Sequence, residues 1–186
     1  MKHARASVAI TALAAGFLAG TPATAETAEK CKGAAIPDKV EGTAFSIDGD
    51  TLKIFGVGPS IRIWGIQAPE LRDKVTGQES IAGMRARARL EELIGQRDDR
   101  AVVCTPTKFD RYCRLVALCT SAHSSIPGAA FDIGLEMVES GHAYGYWLDD
   151  PAPGQPRLGM SYAKAEAAAR QERFGQWPAW LGKATP

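Results

Sequence analysis

The stretch Ser46–Glu70, SIDGDTLKIFGVGPSIRIWGIQAPE, constrains this chain more than any other. Its β-branched and apolar residues fall into three short runs, Ala44–Ile47, Thr51–Val57 and Ser60–Ile66, parted by Asp-Gly-Asp and Gly-Val-Gly-Pro. Such runs between turn signals read as three consecutive strands. The same residues carry Asp48, Asp50, Arg62 and Glu70. A tight hairpin needs one Asp-Gly pair, so the second aspartate has no turn-forming task. Carboxylates clustered at turns suit a hard cation such as calcium. A guanidinium between them suits a phosphate.

The remaining pattern adds strands, then helices. Glu79–Ile94 predicts a helix, with Ile81, Met84, Ala88 and Leu93 on its apolar face and Arg85, Arg87 and Arg89 outside it. Those arginines read as a solvated face near Glu91 and Glu92 before they read as a phosphate site. Arg100–Cys104 and Arg114–Cys119 predict two further strands linked through Thr105–Cys113. Phe131–Ser140 predicts a short helix stopped by Gly141. Ser161–Arg173 predicts an alanine-rich helix capped by Ser161 and stopped by Gly175. Five strands with helices gathered late fit an α+β fold that is mainly barrel, the five-stranded oligonucleotide-binding (OB-fold) type with three packed helices. No internal repeat is visible.

The amino terminus reads as a secretory leader. Lys2 and Arg5 precede the uncharged run Ala6–Gly20, and Ala-Thr-Ala ends at Ala25, so residues 1–25 are expected to be removed. At 15 residues the run is short for a membrane span. Residues 26–39 then form a flexible leader before a domain spanning 40–181. Losing Lys2 and Arg5 leaves 20 of the 22 basic residues against 21 acidic ones, a net charge of −1. A bulk polycation is excluded, so nucleic-acid contacts have to be local. Location is expected to be secreted or periplasmic, with no membrane attachment after processing and no sign of an oligomer.

Export permits disulfides. Cys104 and Cys119 close two strands that a hairpin brings side by side, which favours a Cys104–Cys119 bridge. Cys31 and Cys113 then pair by elimination, although four cysteines allow three connectivities. No cysteine stands at metal-site spacing from His123 or His142.

Several strings in a fixed order carry a resemblance. They are Ile47-Asp48-Gly49-Asp50-Thr51, Ile61-Arg62-Ile63 leading to Ala68-Pro69-Glu70, and Asp110-Arg111-Tyr112-Cys113-Arg114. Gly141-His142-Ala143-Tyr144 and Phe174-Gly175-Gln176-Trp177 follow. Together the chain resembles the staphylococcal nuclease-like (thermonuclease) family from about Val40 to about Trp180. The resemblance implies a calcium-dependent endonuclease that hydrolyses phosphodiester bonds of DNA and RNA, preferably single-stranded, with little sequence specificity. It implies Asp50, Gln67 and the Ala68 carbonyl at the metal, with Asp48 and Thr51 around it. Glu70 matches the residue assigned to the attacking water. Arg62 and Arg114 match the pair on the phosphate. Tyr112, and less directly Tyr144 and Tyr146, match nucleotide-pocket tyrosines.

Two positions depart from the pattern. Gln67 stands where the family carries a metal-binding aspartate, so calcium binding is expected to be weakened. The alternative is therefore a catalytically weakened barrel that binds nucleic acid or nucleotide without turnover. Cys113 stands where the family has glycine, directly before Arg114. Taken singly, Asp48 and Asp50 are compatible with plain turn residues, Arg62 and Arg114 with ordinary ion pairs, and Tyr112, Tyr144, Tyr146 and Trp147 with core aromatics.

Overall fold

The computed structural model describes Cys31 and residues 33–122, 130–152 and 154–182. The predicted leader peptide and His123 lie outside them. Eight strands and four helices run in the order β1 (Val40–Ser46), β2 (Thr51–Ile54), β3 (Ile61–Ile63), β4 (Ile66–Gln67), α1 (Ile81–Ile94), β5 (Ala101–Phe109), β6 (Leu115–Ala122), β7 (Ala130–Asp132), α2 (Ile133–Glu139), β8 (Tyr144–Gly145), α3 (Leu158–Gln171) and α4 (Trp177–Gly182).

Strands β3-β2-β1-β5-β6 pair antiparallel in that order. A parallel pairing of β3 with β6, Ile61 opposite Leu115 and Arg62 opposite Val116, closes the ring. Strand β1 serves two neighbours, pairing through Ala44–Ser46 with β2 and through Val40–Thr43 with β5. The result is the expected α+β architecture, a closed five-stranded mixed barrel. Strand β7 extends it beside β6, and β4 pairs with β8 as a separate ribbon.

Alternation on the strands sends Leu52, Ile54, Ile61, Ile63, Val102 and Leu115 inward. Leu90 and Ile94 of α1, and Ile133 and Met137 of α2, meet them in one core. Trp64 and Tyr162 pack edge to face at 5.4 Å. The Tyr162 hydroxyl donates to Asp132 Oδ1 at 2.7 Å, while Asp132 caps α2 by accepting from the Leu135 amide at 3.2 Å. Burial pushes the Asp132 carboxyl above its ordinary range and, with the Asp132 charge, pushes the Tyr162 phenol upward.

Several boundaries differ from the sequence reading. The run Ser60–Ile66 splits into β3 and β4 because Gly65 turns the chain at a φ of 74°. Strand β5 continues to Phe109, so the link is a tight turn at residues 110–113 rather than Thr105–Cys113. Helix α1 buries Gly83, Ala86, Leu90, Leu93 and Ile94, while Ile81 and Met84 are exposed. Its small residues face the barrel because the backbone approaches closely there. A Cβ on Gly83 would meet the Glu70 carbonyl oxygen at 2.1 Å. Helix α3 begins at Leu158, and Arg157 precedes it without a side-chain cap, so Ser161 lies inside the helix. The short helix α4 adds a fourth to the expected three.

Both expected disulfides are present, Cys104–Cys119 and Cys31–Cys113. Cys104 and Cys119 face each other directly in the β5–β6 register and are fully buried. Cys31 ties the segment before β1 to the β5–β6 turn.

Candidate functional site

The Asp48-Gly49-Asp50 turn between β1 and β2 is pressed onto the body of the protein. A Cβ on Gly49 would sit 2.6 Å from the Cβ atoms of both Ala68 and Ala86, so only glycine lets the turn close this far. The Asp48 carboxylate shapes the turn by accepting from the Asp50 amide at 3.0 Å. Burial raises the Asp48 carboxyl above its ordinary range, against the opposing pull of Thr51, Arg62 and Arg114.

Asp50 is 3 % exposed. Its Oδ2 accepts from the Ala68 amide at 2.8 Å and its Oδ1 from the Thr51 hydroxyl at 3.2 Å. The Arg62 guanidinium forms an ion pair with the same Oδ1. Arg62 reaches it because Thr51 and Arg62 are opposite partners in the β2–β3 register. The second face of that guanidinium donates to the Ile66 carbonyl and to Gln67 Oε1, each at 2.9 Å. Gln67 in turn donates Nε2 to the Ala68 carbonyl at 3.1 Å.

Arg114 enters from the far side of the seam. It immediately precedes β6, whose residue Val116 opposes Arg62, so it lies two register positions from Arg62 across the parallel pairing. Asp110 holds it through Nε at 2.7 Å and through its amide at 3.0 Å. Its Nη1 reaches the Thr51 hydroxyl at 3.3 Å. A continuous chain Arg62–Asp50–Thr51–Arg114 therefore sets both guanidiniums at one rim of the barrel. Burial, and then the charge of Arg114, lower the Arg62 pKa. Each guanidinium is paired within the protein, Arg62 with Asp50 and Arg114 with Asp110.

Glu70 borders an open cleft with Gln67, Ala68, Lys74, Tyr144 and Trp180. Its carboxylate is half exposed and pairs with Lys74 at 3.0 Å. Its charge is felt at Arg62. Tyr144 pairs with Gln67 across the β4–β8 ribbon, and its ring meets Trp180 edge-on at 5.9 Å. Burial raises the Tyr144 phenol above its ordinary value. Tyr146 stacks on Trp147 at 5.5 Å, with Lys108 over the indole at 5.1 Å. Tyr112 lies against Arg111 and Arg114, with ring-to-guanidinium distances of 4.8 and 5.4 Å. Exposures of 58 % for Tyr112, 42 % for Tyr146 and 63 % for Trp147 remove these rings from the core.

The sequence-predicted residues thus converge. Asp48, Asp50, Thr51, Arg62, Gln67, Ala68 and Arg114 form one bonded cluster, with Glu70 and Tyr144 on the adjoining cleft. Tyr146 and Tyr112 sit on its flanks. Lys74 and Trp180 were not signalled by the sequence. Lys74 belongs to an ordinary-looking charged loop. Trp180 belongs to a helix that closes against the cleft only through the tertiary fold. Of the helix arginines, Arg89 pairs with Glu92 at 2.9 Å and Glu136 at 3.7 Å, a structural role.

A calcium ion requires several free, largely anionic oxygens. Here both oxygens of Asp50, the Gln67 oxygen and the Ala68 carbonyl each already accept a bond from within the protein. Among the described residues no group of three or more His, Cys, Asp or Glu side chains gathers around a common point. Gln67 also aims an N–H donor at the carbonyl that would have to face the ion. The residues as they stand do not fit calcium.

A family model described as staphylococcal nuclease homologue matches residues 60–179. The match takes in Arg62, Gln67, Ala68, Glu70, Arg114, Tyr112, Tyr144 and Tyr146, and begins after the Asp48–Thr51 turn. No curated protein matches the chain.

Proposed function

We propose, from the premise that the chain belongs to the staphylococcal nuclease homologue family, that its barrel rim binds a nucleic-acid phosphodiester and hydrolyses it slowly. The observation carrying this reading is the bonded chain that sets Arg62 and Arg114 side by side. The two guanidiniums grip the non-bridging oxygens of one phosphate. Charge accumulates on those oxygens as phosphorus gains a fifth ligand, so the grip tightens in the transition state. Glu70, half exposed and bound only at its rim to Lys74, accepts the proton of the attacking water. Tyr112, Tyr144 and Tyr146 offer faces to bases without reading sequence, which favours single-stranded DNA or RNA and weak specificity. The protein works as a monomer after export and removal of residues 1–25, in the periplasm or outside the cell. The two disulfides support that location. No helix among the described residues is long and apolar enough to cross a membrane.

Calcium, typical of the family, has no role in these steps, because Gln67 and the committed oxygens leave it no place. The direct test is digestion of single-stranded DNA by wild type and by Glu70→Ala. The variant is expected to be slower by about 10²–10⁴-fold, and equal rates remove the hydrolytic reading. Gln67→Asp is expected to add an anionic oxygen and make the rate respond to calcium, which it does not in wild type.

One observation favours a second reading. The Gln67 amide braces Arg62 to the Ala68 carbonyl, a neutral link that steadies a binding surface without supplying catalytic charge. On that reading the protein is a nucleic-acid or nucleotide binding module. Nucleotide-bisphosphate binding that ignores calcium, with no hydrolysis, selects it.

A further inference from the structure

The turn carrying Arg114 is shaped locally but placed from afar. The antiparallel ladder of β5 and β6 ends at Phe109 opposite Leu115, and residues 110–113 project beyond it. Within the turn, Asp110 accepts from the amides of Tyr112 at 2.9 Å and Arg114 at 3.0 Å, and the Cys113 amide donates to the Asp110 carbonyl at 3.0 Å. These bonds span four residues or fewer, so they fix the turn's shape and not its angle to the barrel. Long-range ties do that, and two of them reach the turn and Arg114 directly. One is the 3.3 Å contact of Arg114 with Thr51. The other is the covalent bond from Cys113 to Cys31, 82 residues away. Cys113 holds a φ of 60°, in the left-handed region where a side chain is disfavoured. A glycine would adopt that backbone freely, so the cysteine is there for its sulfur.

We propose that the Cys31–Cys113 bridge is a positioning tether, holding the Asp110–Cys113 turn so that Arg114 faces Arg62, and that reducing it loosens the anion site while the barrel stays folded. The inference rests on the reading of that rim as a phosphate site. The two bridges differ in access, which makes the effect separable. Cys104 and Cys119 are fully buried in the β5–β6 pairing, whereas Cys31 and Cys113 are partly exposed at the rim. A dithiol therefore reaches Cys31–Cys113 first. Its two electrons and two protons go to the two sulfurs, giving two thiols, and the reductant closes to its own disulfide. The freed turn keeps its local bonds but no longer presents Arg114 at a fixed angle, so binding has to order it again.

The test measures the affinity of the full mature protein for a nucleoside 3′,5′-bisphosphate. Four forms are compared: wild type, Cys31→Ser, Cys113→Gly, and wild type after brief treatment with dithiothreitol, the reduced cysteines located by alkylation and mass spectrometry. Each untethered form is expected to bind about 3- to 10-fold more weakly with an unchanged circular dichroism spectrum, a loss the size of one side chain's ordering. Reoxidation restores the treated wild type. The decisive arm repeats Cys31→Ser in an Arg114→Ala background, where the further loss is expected to vanish. Unchanged affinity in all untethered forms, or an equal loss with and without Arg114, overturns the proposal. If wild type binds no bisphosphate, the phosphate-site reading falls. Hydrogen exchange at the Leu115 amide, which donates across the seam to the Ser60 carbonyl at 3.0 Å, then still decides the tether: faster exchange on untethering, at unchanged core protection, supports it, and unchanged exchange overturns it.

Discussion

Asp50 and Glu70 are carboxylates of one rim, yet they live under opposite conditions. Asp50 is sealed under the β1–β2 turn with both oxygens engaged by Arg62, Thr51 and the Ala68 amide. Glu70 stands half exposed at the cleft edge, and among the described residues Lys74 is its ion-pair partner. A buried acid with both oxygens already engaged is held as part of the frame, because an ion or proton reaching it has to compete with those contacts. An exposed acid with one weak partner is free to exchange that partner for substrate water. On the proposed reading, frame and tool are made from the same functional group, and burial divides the labour.

Substitutions can break that division in order of size. Asp50→Ala is expected to have the largest effect. It leaves the Arg62 guanidinium, 13 % exposed, without its counter-charge, and should destabilise the fold by about 3–5 kcal/mol in urea denaturation. Adding Arg62→Met should recover much of that stability and none of the anion binding, since an apolar replacement removes the stranded charge. Glu70→Gln should reverse the pattern. Hydrolysis of single-stranded DNA falls by about 10²–10⁴-fold, while the urea midpoint stays within experimental error of wild type. A large stability loss in Glu70→Gln, or a negligible one in Asp50→Ala, would erase the distinction. Asp48→Asn should show a smaller, pH-dependent effect. Burial raises the folded pKa of Asp48 above its ordinary value of 3.8, so the folded protein holds the proton more tightly than the unfolded chain. That contribution to stability is complete below the unfolded value and is lost as pH rises through the folded pKa. Wild type should therefore lose ground to Asp48→Asn as pH rises from the acid limit, read from urea midpoints across the series. Lys74→Ala is last: the pair with Glu70 is solvated, so its melting temperature should not move.

The sequence carried the barrel well. Strand runs between turn signals, and a hairpin long enough to set Cys104 against Cys119, follow from short-range periodicity and loop geometry, which one chain displays openly. The face of α1 departs from its apolar pattern because close approach, not side-chain volume, decides it: Gly83 and Ala86 are buried where Ile81 and Met84 are not. Helix α3 starts early because Leu158 is packed against the core, which offsets the missing cap. At the site, Arg62, Arg114 and Asp50 were legible from their spacing. The brace formed by Gln67 was not. Its identity marks a lost charge, but that its amide joins Arg62 to the Ala68 carbonyl depends on angles that only the folded backbone sets. Trp180 escaped notice for a similar reason, since its place beside Tyr144 depends on how α4 docks.

The seam between β3 and β6 links residues far apart in the chain, and Arg62 and Arg114 flank it. Contacts of such long sequence separation form late, after loop closure has been overcome. A chain with that seam open still has a hairpin from β1 to β3 and a second from β5 to β6, each carrying one of the two guanidiniums. On the proposed reading, a grip on one phosphate by both arginines therefore requires the closed ring.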